Sequence, residues 1–149
     1  MGLKKYCNHA GCTTLVDYGV SYCDKHTIDK TERDREYDKT VRNKKSKEFY
    51  NSNEWKMARA KALARDDGID IFLFITIGKV KAAAAVHHIM PLKEDYTRRA
   101  DPDNLISLSA DTHSYIETQY KKGEASKKQL QKVLYRCITD YQTFKRGGG

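Results

Sequence analysis

Apolar positions change their spacing several times along the chain, and each change marks an element. In NSNEWKMARAKALARDDG, residues 51 to 68, Trp55, Ala58, Ala62 and Leu63 recur at i, i+3, i+7 and i+8, the single stripe of an amphipathic helix. Ser52 or Asn53 supplies the cap and Gly68 the stop. The next stretch, IDIFLFITIGKVKAAAAVHHI, is rich in Ile, Phe and Val around Gly78-Lys79, which predicts two strands joined as a hairpin. A polar loop, a short strand NLISLS and a helix ADTHSYIETQYKKG closed by Gly123 follow. In the last segment Leu130, Val133, Leu134, Cys137, Ile138 and Tyr141 fall at i, i+3, i+4, i+7, i+8 and i+11, a strongly amphipathic helix expected to finish the core. Cys137 lies within that stripe and reads as a small buried hydrophobe.

The front of the chain is different. Residues 28 to 50 alternate charges with almost no apolar face beyond Tyr37 and Val41, which predicts a linker or a solvated helix. Residues 7 to 26 offer only Leu15, Val16, Val20 and Tyr22 as apolar groups, too few for a core. No internal repeat is present, and the terminal glycines read as a disordered tail.

Charge narrows the class of partner. The 149 residues suit one domain with a small appendage, and 28 Lys and Arg against 20 Asp and Glu leave a net charge of +8 with ten tyrosines. That balance favours a polyanion, most simply nucleic acid, and the run RNKKSK at 42 to 47 offers a place for phosphates. MGLKKYCNHA lacks the apolar core of a signal peptide, and IFLFITI is too short to span a bilayer. An intracellular protein with no membrane partner is expected, its cysteines serving as ligands or core groups.

Cys7, Cys12, Cys23 and His26 are spaced C-x4-C-x10-C-x2-H. Three thiolates and an imidazole in two close pairs match the tetrahedral preference of zinc. The metal would supply folding energy that the poor local core lacks, ~10 kcal/mol or more for a structural zinc. His9 falls outside this spacing and is expected to stand by.

VHHIMPL, residues 86 to 92, carries the chemistry. Successive side chains of a strand point to opposite faces, so adjacent His87 and His88 serve no single core. Asn104 follows His88 by sixteen residues and His113 follows Asn104 by nine, so that two strands and a helix can face one cavity and share a metal. One histidine of the pair can bind a divalent cation while its neighbour takes a proton from an attacking water. Such a base needs a fixed tautomer, which a carbonyl or amide acceptor on Nδ1–H would provide, and Asn104 can brace the loop that holds the acceptor.

VHHIMPL, NLISLS and THSYIE together resemble the HNH endonucleases, and CNHAGCTTLV, YCDKH and FYNSNEWKMARAKALARD resemble the zinc-binding front and Trp-containing helix of small phage-type members. Agreement over separated segments, from about Cys7 to Tyr120, is far more specific than the His-Asn-His triplet alone. The resemblance implies an α+β fold with a ββα-metal (His-Me finger) core, flanking helices and a small N-terminal zinc-binding module. It implies His88 as general base, Asn104 as the residue orienting the base-bearing loop, and His87 and His113 as metal ligands, with Glu117 as a further ligand one turn beyond His113. The metal would be Mg, Mn, Ni or Zn. Many members bracket the core with paired cysteines; here none lies between 66 and 86 or in LSADTH, so the core must rest on Phe72, Phe74, Ile75, Leu105 and Ile106.

The expected division is a zinc module at 1–28, the charged segment at 29–50, the nuclease domain at 51–145 and the tail at 146–149. Lys56, Arg59, Arg98, Arg99, Lys121 and Lys122 are candidates for holding the backbone of double-stranded DNA. The phage-type resemblance further implies a role in genome packaging beside terminase or portal proteins, in the cytoplasm of an infected or lysogenic host. Two other readings are kept: a zinc-dependent nucleic-acid-binding or regulatory protein that no longer cuts, and a nuclease acting on RNA. Oligomeric state is not legible.

Overall fold

The computed structural model describes residues 2–148, without the side chains of 27–31 and 148. The first and last expected segments therefore extend, at residues 1 and 149, outside the described residues. The chain divides into two compact units, Met1–Lys45 and Ser46–Gly149, and the division falls inside the stretch expected as a linker.

In the first unit β1 (Lys4–Tyr6) pairs antiparallel with β2 (Leu15–Asp17), Lys5 opposite Val16. Val16, Cys7 and Cys23 are its only buried apolar residues among those described, so the ribbon has no hydrophobic core to speak of. Helix α1 (Asp24–Tyr50) starts here, and its polar middle is exposed as its charge pattern demands.

The second unit is built around a strand pair. Helix α2 (Asn53–Arg65) starts at the Ser52 cap, whose hydroxyl accepts from the Trp55 amide. It ends earlier than expected: Asp67, at φ 56°, takes the left-handed position after the helix, and the Gly68 amide bonds back to the Leu63 carbonyl.

The anticipated hairpin does not form. IFLFITI is a helix, α3 (Ile71–Ile77), capped by Asp70 and closed by Gly78 at φ 67°. One feature decides against a strand. The Asp70 carboxylate captures the Leu73 amide and starts a helical turn, so that pairing of the two expected arms stops at a single bridge, Ile69 with Ala82. Strand β4 (Leu105–Leu108) pairs with β3 (Ala85–His88), and the amides of Ser107 and Ser109 donate instead to the carboxylates of Asp66 and Asp70.

Alternation along the pair separates two cores. Val86 and Leu105 pack with Phe49, Trp55 and Leu92, whereas Ile106 and Leu108 pack with Ile71, Ile116, Leu134 and Ile138. Leu105, Ile106 and Leu108 are wholly buried, contributing ~1.5–3 kcal/mol each and anchoring β4 from both faces. Of the residues expected to carry the core, Phe72, Phe74 and Ile75 are only half-buried because α3 lies at its margin.

Helix α4 (Ala110–Lys121) begins at the Ser109 cap. Helix α5 (Glu124–Thr143) places Leu134, Cys137, Ile138 and Tyr141 in the core, with the Cys137 thiol pushed up to about 11, chiefly by burial. A short helical turn, Phe144–Gly148, continues from it. No helix among the described residues is long and apolar enough to cross a membrane.

Candidate active site

The β3/β4 register explains why two histidines stand side by side. His87 is paired with Ile106 and His88 with Leu105, so the two rings leave the strand on opposite faces. His87 points to the α4 side and His88 to the aromatic side, and both are more than nine-tenths buried. They have different neighbours and can do different work.

On the α4 side, His87 meets His113 and Glu117, which sit one turn apart on the helix. One donor atom from each lies within 4.8 Å of the others. Glu117 Oε1 is 3.5 Å from His87 Nδ1 and 3.4 Å from His113 Nε2. Tyr120 fixes the tautomer of His87. Its hydroxyl donates to the Ile89 carbonyl at 2.8 Å, leaving its oxygen to accept from His87 Nε2–H at 3.4 Å. The Nδ1 lone pair is thereby turned toward Glu117. Burial first, then the nearby His113 and His88, push His87 down to about 3, so its imidazole is neutral at any ordinary pH.

A carboxylate oxygen 3.4–3.5 Å from each of two imidazole nitrogens suits a cation: bonds of ~2.1 Å place neighbouring ligand atoms roughly 3.0–3.4 Å apart. Nitrogen and oxygen donors together accept Mn²⁺, Zn²⁺, Ni²⁺ or Mg²⁺, so the set fits a divalent metal without choosing among them.

On the other face His88 is held by its surroundings. Trp55 stacks on its ring at 5.1 Å and 24°, and Phe49 meets it edge-on. Its Nε2–H donates to the Arg99 carbonyl at 2.8 Å, while the Tyr50 hydroxyl lies 3.3 Å from Nδ1. The carbonyl thus holds Nε2, not the Nδ1 expected from sequence, because the strand end brings that edge of the ring to the 98–101 turn. Nδ1 is left as the basic nitrogen. Burial pushes His88 below its ordinary range against the opposing pull of the Arg99 carbonyl.

Asn104, wholly buried at the end of a short turn (Pro102–Asn104), clamps that loop. Its Oδ1 accepts from the Met90 amide at 2.8 Å and the Tyr135 hydroxyl at 2.9 Å, and its Nδ2 donates to the carbonyls of Met90 and Arg98. Both ends of the amide are satisfied. The segments following His88 and preceding Arg99 are tied together through one side chain.

His87, His88, His113 and Glu117 line a cleft of about 490 Å³ together with Tyr50, Lys93 and Tyr120. Lys56 and Arg59 on α2, and Lys121 and Lys122 at the end of α4, are exposed. Arg98 and Arg99 are not held out in the same way. Arg98 is bonded to Asp101 and Tyr135, and Arg99 to Glu54 and the Tyr96 carbonyl. Tyr120 was missed from the sequence, although a signal was there: it stands at i+7 from His113 and i+3 from Glu117, on the same helix face. Tyr50 and Tyr135 carried no such signal, because the hydrogen-bond partners of their hydroxyls are distant in sequence.

In the first unit Cys7, Cys12, Cys23 and His26 form a second convergent group within 4.8 Å. His26 Nδ1 lies 3.2 Å from Cys23 Sγ and 3.5 Å from Cys7 Sγ, and Cys12 and Cys23 are 4.0 Å apart. A tetrahedron with Zn–S of ~2.3 Å and Zn–N of ~2.0 Å has edges close to these. Cys7 Sγ also accepts from the amides of His9 and Cys23. His9 itself is outside the group, its ring stacked on His26 at 3.8 Å.

A family model described as a domain of unknown function, DUF8602, matches residues 1–48. Comparison with curated proteins gives no match. Among solved structures, the chain is similar to the HNH endonuclease of the deep-sea thermophilic bacteriophage GVE2, crystallised with a manganese ion. The two share 37% identity with a TM-score of 0.56, over 58% of this chain and 94% of the phage enzyme. With nearly all of that relative matched at this identity, the chain belongs to the HNH endonuclease family.

Proposed function

We propose that this protein is a metal-dependent DNA endonuclease that hydrolyses phosphodiester bonds through a ββα-metal centre formed by β3, β4 and α4. The observation that carries the reading is the convergence of His87, His113 and Glu117 on one side of a strand end whose next residue, His88, presents its basic Nδ1 on the other, beside the Tyr50 hydroxyl. The GVE2 relative was crystallised with manganese, and the donor set here suits such an ion. The bound cation would polarise the scissile phosphate and offset charge on the leaving oxygen.

The chain's own residues do the rest. His88 Nδ1 takes the proton of the attacking water, a role worth roughly 10²- to 10⁴-fold in rate. The Arg99 carbonyl keeps the other proton on Nε2, and Asn104 keeps that carbonyl in place. Tyr120 holds His87 in the tautomer that presents Nδ1. Lys56, Arg59, Lys121 and Lys122 contact phosphates of double-stranded DNA, which gives affinity without sequence information. Arg98 and Arg99 are assigned to the loop in preference to DNA.

Cys7, Cys12, Cys23 and His26 hold a structural zinc that folds the first unit, since the β1–β2 ribbon has little apolar surface to bury. The phage source of the solved relative supports a phage or prophage protein acting inside its host. Genome packaging beside a terminase or portal is the setting this reading assigns, and co-purification from infected cells tests it.

The decisive experiment is plasmid cleavage with Mg²⁺, Mn²⁺ or Ni²⁺, alongside EDTA and His88→Ala. Metal-dependent nicking lost in both controls is expected. Cleavage by His88→Ala at the parent rate would sink the assignment of the base, and inactivity with every metal would sink the enzyme. An RNA substrate of matched length, cut in preference to duplex DNA, would move the substrate class.

A further inference from the structure

Helix α5 does more than close the core. Lys127, Gln131 and Tyr135 stand at i, i+4 and i+8, and this polar row faces the loop between His88 and Asn104. Lys127 and Gln131 are more than nine-tenths buried, an unusual placement for such side chains unless each has a partner. Lys127 is paired with Glu94. Gln131 Nε2 donates to the Ile89 carbonyl at 3.0 Å, directly after His88. Tyr135 donates to Asn104 Oδ1 at 2.9 Å and accepts from Arg98 Nη1 at 2.8 Å.

The last contact has a chemical consequence. An amide side chain can be turned end for end, and nothing but its partners decides which way it faces. Two donors, the Tyr135 hydroxyl and the Met90 amide, both meet Asn104 on one side and require oxygen there. The NH₂ must then face the Met90 and Arg98 carbonyls. Arg98 immediately precedes the residue whose carbonyl holds His88 Nε2. Tyr135 and Arg98 thus form a hydrogen-bonded chain that sets the Asn104 amide and, through it, the base-holding turn.

We propose that Tyr135 is a positioning residue for the hydrolytic centre, fixing the orientation of the Asn104 amide from α5, so that the C-terminal helix is part of the catalytic apparatus. This rests on the reading of His88 as the general base. The test is Tyr135→Phe, which keeps the ring and removes only the hydroxyl. The control is Tyr141→Phe, which removes a comparable hydroxyl bond, to Asp67, farther along the same helix.

For Tyr135→Phe, kcat for plasmid nicking is expected to fall roughly three- to tenfold with KM within about twofold. Exchange of the Met90 amide, followed by NMR, should quicken by roughly two- to tenfold, the factor that weakening one neutral hydrogen bond allows. Tyr141→Phe should change neither. A parental kcat in Tyr135→Phe, an unchanged Met90 amide, or an equal loss in both variants overturns the proposal. If the parent protein does not cut at all, the nuclease reading fails on its own, and the Met90 amide still decides whether Tyr135 orients Asn104.

Discussion

Asp70→Ala tests how the fold carries the site. The Asp70 carboxylate is fully buried and takes three donors: the Leu73 amide at 2.9 Å, the Ser109 amide at 2.9 Å and the Ser109 hydroxyl at 2.8 Å. One of these caps α3, and the other two hold the residue that caps α4, the helix bearing His113 and Glu117. Hydrogen bonds to a charged acceptor contribute ~1.5–3 kcal/mol each, and a lost helix cap costs ~0.5–2 kcal/mol. Relief from burying an ion offsets part of the loss, and the Ser109 hydroxyl retains Thr112 as a partner. A net destabilisation of about 3 kcal/mol follows, a large part of the ~5–15 kcal/mol available to a domain.

Urea unfolding can be followed by fluorescence of Trp55, the single tryptophan, which lies in the buried cluster of the second unit. With a slope of ~1.5–2 kcal/mol per molar, the midpoint should fall by roughly 1.5–2 M. Asp67→Asn is the comparison, since Asn tolerates the left-handed backbone there: the Asp67 carboxylate meets Tyr141 and Lys145 but is 53% exposed, so its midpoint should move much less. A fall below about 0.5 M for Asp70→Ala, or a larger fall for Asp67→Asn, would refute the claim that buried carboxylates secure these helices.

Glu117→Gln keeps shape but removes a negative ligand, and Mn²⁺ binding measured by calorimetry should weaken by about tenfold or more. His87 gives a pH dependence whose sign is fixed by its depressed value. Folded His87 resists the proton down to about 3 whereas an unfolded histidine binds it near 6.5, so its contribution is whole above 6.5. That contribution is lost as pH falls toward about 3, at up to ~1.4 kcal/mol per unit, in urea titrations with EDTA present. Stability independent of pH between 6.5 and 4.5 would contradict it. Cys23→Ser should lower the zinc content, by atomic absorption, from about one ion per chain toward none. Replacing Lys121 and Lys122 together by Ala should weaken DNA binding across sequences and reduce the salt-dependence slope by about two.

The histidine pair was legible because strand geometry forces adjacent residues apart, so a consecutive pair signals two tasks. The Cys and His spacing and the α5 stripe were legible for similar reasons, since both are local patterns. IFLFITI was misread as a strand because a run apolar at every position but Thr76 carries neither period. Its helix is decided by the cap at Asp70, one residue outside the run. The nitrogen of His88 that the carbonyl holds depends on where Arg99 returns in space, which no spacing encodes. Tyr50, Gln131 and Tyr135 were missed because their partners lie 31 to 42 residues away.

The carboxylates on the β4 edge also bear on self-association. An unpaired strand edge is a template on which another chain can add a strand, and a two-stranded sheet has little else to discourage it. Here Asp66 and Asp70 spend that side of β4 on side chains, with Arg65 bracketing Asp66 and reaching the Leu105 carbonyl. Sheet extension is closed on that side. Two copies brought together to break both strands of a duplex would not join through β4, and a mutation opening this edge would expose a template for aggregation.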